Sequence, residues 1–281
     1  MTTIGVLGPG AVGGALAVPL AQTGANVICI GRAKTAAAIA RDGLTLVKQG
    51  EELHAKLAAS DTLRAPVDIL LIAVKAPGLE DALDSIEAPA EMVLPLMNGL
   101  EHMDVIRSRL SDHVVAGTIG LLEAYREGPT RIVQTTPGPA VTAGEPVSLP
   151  PFEVRVVPEK TLLWDKVARM APLAAATSIT QRPVGELRAD PDWRPRLERA
   201  IDEACAVANA DGAAISAAAQ WEIIDALPGS LTTSAARDVA AGRPSELDAI
   251  AGAVVRAGRR LGVATPELER LWEESCRVQS R

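Results

Sequence analysis

The spacing of hydrophobic positions changes once along the chain. Up to about residue 122, short continuous apolar runs alternate with segments of helical period, and after Pro158 almost everything is helical in period. Runs at 4–7, 26–30, 67–74 and 92–97 are apolar enough for strands of a parallel sheet covered on both faces. Between them, the Ala/Leu-rich stretch after Gly13 and segments 35–41, 79–86 and 101–110 carry helical spacing, with Gly43 as a breaker. The pair 44–47 and 53–57 reads as an inserted hairpin, and 113–117 as a further strand. From Glu123 to Val157 short alternating runs separated by Gly and Pro predict antiparallel strands closing the edge of the sheet. The pattern predicts a doubly wound α/β half over 1–159 and an all-α half over 160–281.

The first helix of the second half puts Lys166, Met170 and Ala174 at i, i+4 and i+8, one stripe of its surface, with Pro172 implying a kink. Residues 230–248 read as a helix, a Gly/Pro break and a new helix from Ser245. Leu197, Ile201, Ala204, Cys205 and Ala208 share a face, as do Leu247, Ile250, Ala251, Val254 and Leu261. Gly262 suits a C-terminal cap before a last helix over 266–278. Trp193, Trp221 and Trp272 fit as core or interface anchors.

Composition narrows the function classes. A chain of 281 residues with 48% hydrophobic content can bury a sizeable core. Its net charge of −7 and pI near 5.2, without a long basic cluster, argue against nucleic acid as a partner. Cys29, Cys205 and Cys276 are odd in number and lack a CxxC, and His54, His102 and His113 are scattered, so neither a disulfide framework, a metal site nor a Ser-His-Asp triad is expected. The chain opens on a strand rather than a signal segment, and no apolar stretch is long enough to span a bilayer, so a cytoplasmic location without membrane association is expected.

The chemistry begins at the first turn, Gly8-Pro9-Gly10-Ala11-Val12-Gly13, a GxGxxG between a strand and a helix. Gly8 permits the sharp turn, Gly10 lets backbone approach a pyrophosphate, and Gly13 lets helix and strand pack closely, so the helix N-terminus faces the phosphates. The second strand ends at Gly31-Arg32, where an NAD-binding chain would carry an acid for the ribose hydroxyl. Arginine there can fork onto a 2′-phosphate, which points to NADP(H), the alternative being a solvated side chain. In such sheets ligands sit beyond the carboxyl ends of strands. Lys75 and Asn98 stand there, Lys75 as a cofactor contact or a solvated lysine, Asn98 as a polar contact near the nicotinamide or as Asn-Gly turn chemistry.

A lone helical lysine is usually solvated, but Lys166 sits beside Leu163 and Trp164. Partial desolvation there would lower its pKa and suit it to give a proton near neutrality.

With the GxGxxG start, KAPGLEDAL at 75–83, MNGL at 97–100, WDKV at 164–167 and TSAARDVAAGRPSELD at 233–248, the chain resembles the ketopantoate reductase family over nearly its full length. The resemblance implies a Rossmann-type domain followed by a helical substrate domain, with the active site in the cleft between them. It implies NADPH-dependent reduction of a 2-oxo acid, a small-molecule carbonyl substrate, ketopantoate to pantoate in the namesake, and leaves dimerisation open. Lys166 matches the catalytic lysine that would protonate the ketone oxygen. Glu246 matches a glutamate thought to hold cofactor and lysine, a position that a helix-starting acid would also favour. Asn98 and Ser234 match substrate contacts, and Gly8, Gly10, Gly13, Arg32 and Lys75 match cofactor positions.

The chain departs from the family where asparagines four and eight residues after the lysine face pantoate: here stand Met170 and Ala174. Losing two amides weakens recognition of a polar substrate far more than of an apolar one. The resemblance therefore leaves room for a less polar ketone or imine. A nucleotide-binding sensor without turnover is a further alternative, against which Lys166, Ser234 and Glu246 argue.

Overall fold

The computed structural model describes residues 1–110, 113–120 and 122–280. Its contacts separate into two units, one of residues Met1–Met97 and His102–Glu159, the other of Asn98–Glu101 and Lys160–Arg281.

The first unit is built on β1 (Thr3–Leu7), α1 (Ala11–Gln22), β2 (Asn26–Ile30), α2 (Ala33–Asp42), β3 (Leu44–Lys48), β4 (Glu51–Ala55), β5 (Ala58–Ser60), β6 (Val67–Ile72), α3 (Leu79–Leu83), β7 (Ala90–Pro95), α4 (His102–Arg109) and β8 (His113–Val114). A parallel sheet runs β5-β2-β1-β6-β7-β8. Side chains of successive residues part to opposite faces, as the strand period requires. Ile4, Val6, Leu71 and Leu94 join the α1 side, while Leu7, Leu70, Ile72 and Val93 join the side covered by α3 and α4. Two cores flanking one sheet give the doubly wound form that continuous apolar strands require.

Beyond it lie β9 (Gly117–Gly120), β10 (Ala124–Arg126), β11 (Arg131–Gln134), β12 (Ala140–Ala143) and β13 (Val154–Val156). These do not close the main sheet as antiparallel edge strands, contrary to the sequence expectation. They build two separate sheets, β10-β11-β3-β4 and β13-β12-β9, in which β11 pairs parallel with β3 and β12 parallel with β13. A tight turn forces antiparallel pairing only between its two strands. The predicted hairpin is present as β3–β4, but its partner β11 comes from far along the chain and is free to run either way. The 113–117 segment divides: two residues pair in the main sheet and Gly117 opens β9. The helix predicted over 79–86 is shorter, a 3-10 turn at Ala76–Gly78 leading into α3.

The second unit is helical: α5 (Glu159–Thr180), α6 (Val184–Ala189), α7 (Trp193–Ala210), α8 (Ala217–Ala226), α9 (Ser234–Ala240), a π-helical turn at Asp248–Gly252, α10 (Ala253–Leu261) and α11 (Pro266–Gln279). Helix α5 continues through Pro172. The helix expected from Ser245 starts two residues later, at Leu247, and opens with the π turn. Gly262 adopts the left-handed C-cap, φ 72°. Trp164 is fully buried in this unit's core, and Trp193, Trp221 and Trp272 pack against it. Among the described residues no helix is long and apolar enough to cross a membrane, and no group of His, Cys, Asp and Glu could hold a metal ion.

Candidate active site

In the first unit the carboxyl ends of β1, β2 and β6 lie side by side. Gly8 N donates to Ile30 O at 2.9 Å and Ala73 N donates to Leu7 O at 2.9 Å, so the first turn stands between the Gly31-Arg32 and Val74-Lys75 segments. Gly8 has φ +87°, and a Cβ there would come within 2.6 Å of Val74 Cγ1. A Cβ on Gly13 would fall on the carbonyl oxygen of Gly8, which is why helix and turn can lie so close. Around Gly10, the N-cap of α1, a Cβ would meet only Gly8 O, at 3.9 Å. That open face suits close approach of another molecule's backbone-sized group.

The first intrahelical bond of α1 runs from Gly14 N to Gly10 O, and its first turn carries no acid. The amides of Ala11, Val12 and Gly13 therefore point out of the helix N-terminus, with no acid in that turn. Pro9 sits within this turn, and its ring fills the space a Cβ on Gly31 would need. Arg32 is exposed and caps the start of α2, and Lys75 is exposed at the start of the 3-10 turn after β6. The residues present thus fit a dinucleotide: a glycine cradle, a helix N-terminus and two cations at one end of the sheet.

The second unit gathers the other candidates. Asn98 Nδ2 donates to Glu246 Oε2 at 2.9 Å, and Glu246 is buried. Lys166, partly buried on α5, has its pKa drawn down from 10.5 to about 8: burial lowers it, the Glu246 carboxylate pulls it back up and the Arg169 guanidinium lowers it. Arg169 is itself held. Its Nη1 donates to Asp165 Oδ2 at 2.9 Å and to Gln220 Oε1 at 3.0 Å, while Gln220 Nε2 donates to Asp165 Oδ1 at 3.0 Å.

Further along the stripe, Met170 packs at the margin of the core, while Ala174 is fully buried against Ala235 and Leu247. Ala174 is thus covered by the residues next to Ser234 and Glu246 in the chain. Ser234 is exposed at the first position of α9. Thr233 caps that helix, its Oγ1 accepting from Ala236 N at 3.2 Å and sharing a hydrogen bond with Thr177 Oγ1 at 2.8 Å. The structure thus groups Asn98, Lys166 and Glu246, with Ser234 on an adjoining helix, and groups the glycine turn with Arg32 and Lys75.

Sequence reasoning missed Arg169, Gln220 and the Thr177–Thr233 pair. The Asp165-x-x-x-Arg169 spacing was a usable signal for an ion pair on one helix face. Gln220 and Thr177 meet their partners across other helices and left no such trace.

The model of the family described as "Ketopantoate reductase PanE/ApbA" matches residues 4–146, and that of "Ketopantoate reductase PanE/ApbA C terminal" matches residues 160–278. The 2-dehydropantoate 2-reductase of Caulobacter vibrioides is 31% identical over 282 residues, covering 95% of each chain. That of Vibrio cholerae serotype O1 is 32% identical over 292 residues, covering 96% of this chain and 95% of its own. Among solved structures, a PanE/ApbA family ketopantoate reductase from Ralstonia eutropha superposes with a TM-score of 0.87 at 27% identity, covering 99% of this chain and 98% of that one. With both halves matched in order, this chain belongs to the ketopantoate reductase PanE/ApbA family, oxidoreductases that act on a ketone.

Proposed function

We propose that this protein reduces a 2-oxo acid to the 2-hydroxy acid with NADPH, that its substrate is 2-dehydropantoate, and that Lys166 is the proton donor. The observation that carries the reading is the grouping of Asn98, Lys166 and Glu246, with Glu246 hydrogen-bonded to Asn98 and electrostatically coupled to Lys166. The names of the relatives from Caulobacter and Vibrio supply the substrate.

The dinucleotide, when bound, supplies the hydride. Residues 1–159 serve as its domain, with the Gly8–Gly13 turn and the amides of Ala11, Val12 and Gly13 holding the pyrophosphate, and Arg32 and Lys75 holding phosphate or ribose. Arg32 favours NADPH because a guanidinium forks onto a phosphate and would find no such partner on a bare ribose. Residues 160–281 serve as the substrate domain. The Lys166 ammonium donates to the ketone oxygen as negative charge grows there and delivers its proton. A donor with a pKa near 8 is well matched to that task at neutral pH, being protonated yet ready to give the proton up. Glu246 keeps the ammonium charged and in place, Asn98 orients Glu246 and the substrate's polar groups, and Ser234 offers a hydroxyl to the carboxylate.

The test follows NADPH absorbance with purified protein, 2-dehydropantoate and a panel of less polar 2-oxo acids and imines. Consumption of 2-dehydropantoate in preference, abolished in Lys166→Ala with NADPH affinity retained, is the expected result. Preference for an apolar panel member would move the substrate, and turnover surviving Lys166→Ala would overturn the mechanism. NADPH binding without any turnover would leave a nucleotide sensor.

A further inference from the structure

Residues 98–101 link β7 to α4, yet each of the four is engaged by the helical unit to which they belong. Asn98 donates to Glu246 at 2.9 Å. Gly99 has φ +97°, a left-handed conformation that favours glycine, and a Cβ there would fall on the carbonyl oxygen of Ala249. Leu100 packs against the helical core. Glu101 receives a two-pronged bond from Arg256, Nε to Oε1 at 2.8 Å and Nη2 to Oε2 at 2.7 Å.

Arg256 is held from behind. Its Nη1 donates to Asp248 Oδ1 at 3.0 Å, its Nη2 to Asp248 O at 3.1 Å, and its guanidinium lies 6.0 Å from the Trp272 ring. The partners Glu246, Ala249 and Arg256 follow one another along a single stretch that contains the π turn Asp248–Gly252. Such turns interrupt helical regularity and recur at functional sites.

The Glu101 and Arg256 side chains are 44% and 34% exposed. Ion pairs this open to solvent add little to stability, whereas two parallel bonds fix orientation. We propose that Glu101 and Arg256 form a clamp that seats Asn98 against Glu246, which makes both of them positioning residues for proton delivery by Lys166. The consequence for catalysis rests on the proposed reductase function; the seating of the 98–101 segment does not.

Two measurements on the full chain test the clamp. The first is steady-state kinetics of Glu101→Ala, Glu101→Gln, Asn98→Ala and the Asn98→Ala/Glu101→Ala double variant. A clamp predicts that Glu101→Ala lowers kcat about tenfold, the size of effect expected when a reacting group is slightly misplaced, with the dinucleotide dissociation constant unchanged. Glu101→Gln, which keeps one acceptor, should fall between it and the wild type, and the double variant should be no worse than Asn98→Ala. Independent, multiplying losses would overturn the proposal.

The second is hydrogen–deuterium exchange, which needs no activity. Peptides covering 98–101 and 246–252 should exchange faster in Glu101→Ala while peptides of α7 stay unchanged; unaltered exchange at 98–101 would overturn the clamp. Arg256→Ala should speed exchange in the same two segments, and Arg256→Lys, which keeps the charge and loses the fork, replaces it should the alanine variant not fold. If the wild-type protein reduces none of the 2-oxo acids, the reductase reading falls alone, and the exchange result still decides the clamp.

Discussion

Asn98 donates to the same Glu246 carboxylate whose charge counters the burial of Lys166. Lys166 thus sits under opposing influences: desolvation and the neighbouring Arg169 push its proton off, while Glu246 holds it on. Two substitutions should therefore move the pH profile of reduction in opposite directions. With the ammonium as proton donor, kcat/KM for reduction falls as pH rises through about 8. Glu246→Gln, which can still accept from Asn98, should shift that fall to lower pH. Arg169→Met should shift it to higher pH. Profiles of kcat/KM for the two variants decide the matter, and coincident profiles would mean that neither charge reaches the lysine.

The same lysine makes stability depend on pH. Its folded pKa of about 8 lies below the ordinary 10.5, so between these values the unfolded chain binds more protons than the folded one. Stability therefore carries the full penalty below about pH 8 and recovers as pH rises from there towards 10.5. Linkage sets the penalty at no more than about 3 kcal/mol, reduced because part of the side chain meets solvent. Urea denaturation of Lys166→Met should show a higher midpoint than the wild type at pH 7 and lack the alkaline recovery. Parallel curves for the two proteins would show that the amine is not desolvated.

How much of this could be read from the residues depends on how local each cause is. Strands β1, β2, β6 and β7 are continuous apolar runs beside breakers, and the glycine turn is a fixed spacing, so each carries its signal within a few neighbours. Strand β5 is Ala58-Ala59-Ser60, with no branched or aromatic residue to mark it, and it exists because β2 offers an edge to pair with. The pairing of β11 with β3 and the Glu101–Arg256 fork join residues far apart in sequence, where no periodicity points to the partner. Lys166 was legible as a candidate through its apolar neighbours and Glu246 beside it through the family resemblance, whereas Arg169 came only with the fold. The burial of Ala174 was hidden for the same reason, since Ala235 and Leu247 cover it from elsewhere in the chain.

Cofactor preference gives a test confined to the first unit. Arg32 is exposed beyond the end of β2, and its part in the start of α2 is played by its backbone carbonyl, which a substitution of the side chain leaves in place. On the proposed binding mode, Arg32→Asp places a carboxylate where it repels a 2′-phosphate and can accept from a ribose hydroxyl. The ratio of NADH to NADPH dissociation constants should shift towards NADH by at least about tenfold, equivalent to about 1.4 kcal/mol. An unchanged ratio, measured by fluorescence titration of both reduced cofactors, would remove Arg32 from the phosphate site.

The glycines of the first turn separate folding from binding. A methyl on Gly13 collides with the Gly8 carbonyl, a backbone atom that cannot rotate away, so Gly13→Ala should lower stability by about 1–3 kcal/mol in line with other overpacked sites. A methyl on Gly10 meets nothing nearer than 3.9 Å within the protein, so Gly10→Ala should leave the melting temperature close to that of the wild type. On the proposed binding mode that methyl occupies the face by which a pyrophosphate approaches the backbone, and NADPH affinity should drop sharply in the same variant. Thermal melts and cofactor titrations of the two proteins, side by side, give the comparison. Loss of stability in Gly10→Ala would mean that the face is not open within the protein, and undiminished affinity there would place the pyrophosphate elsewhere.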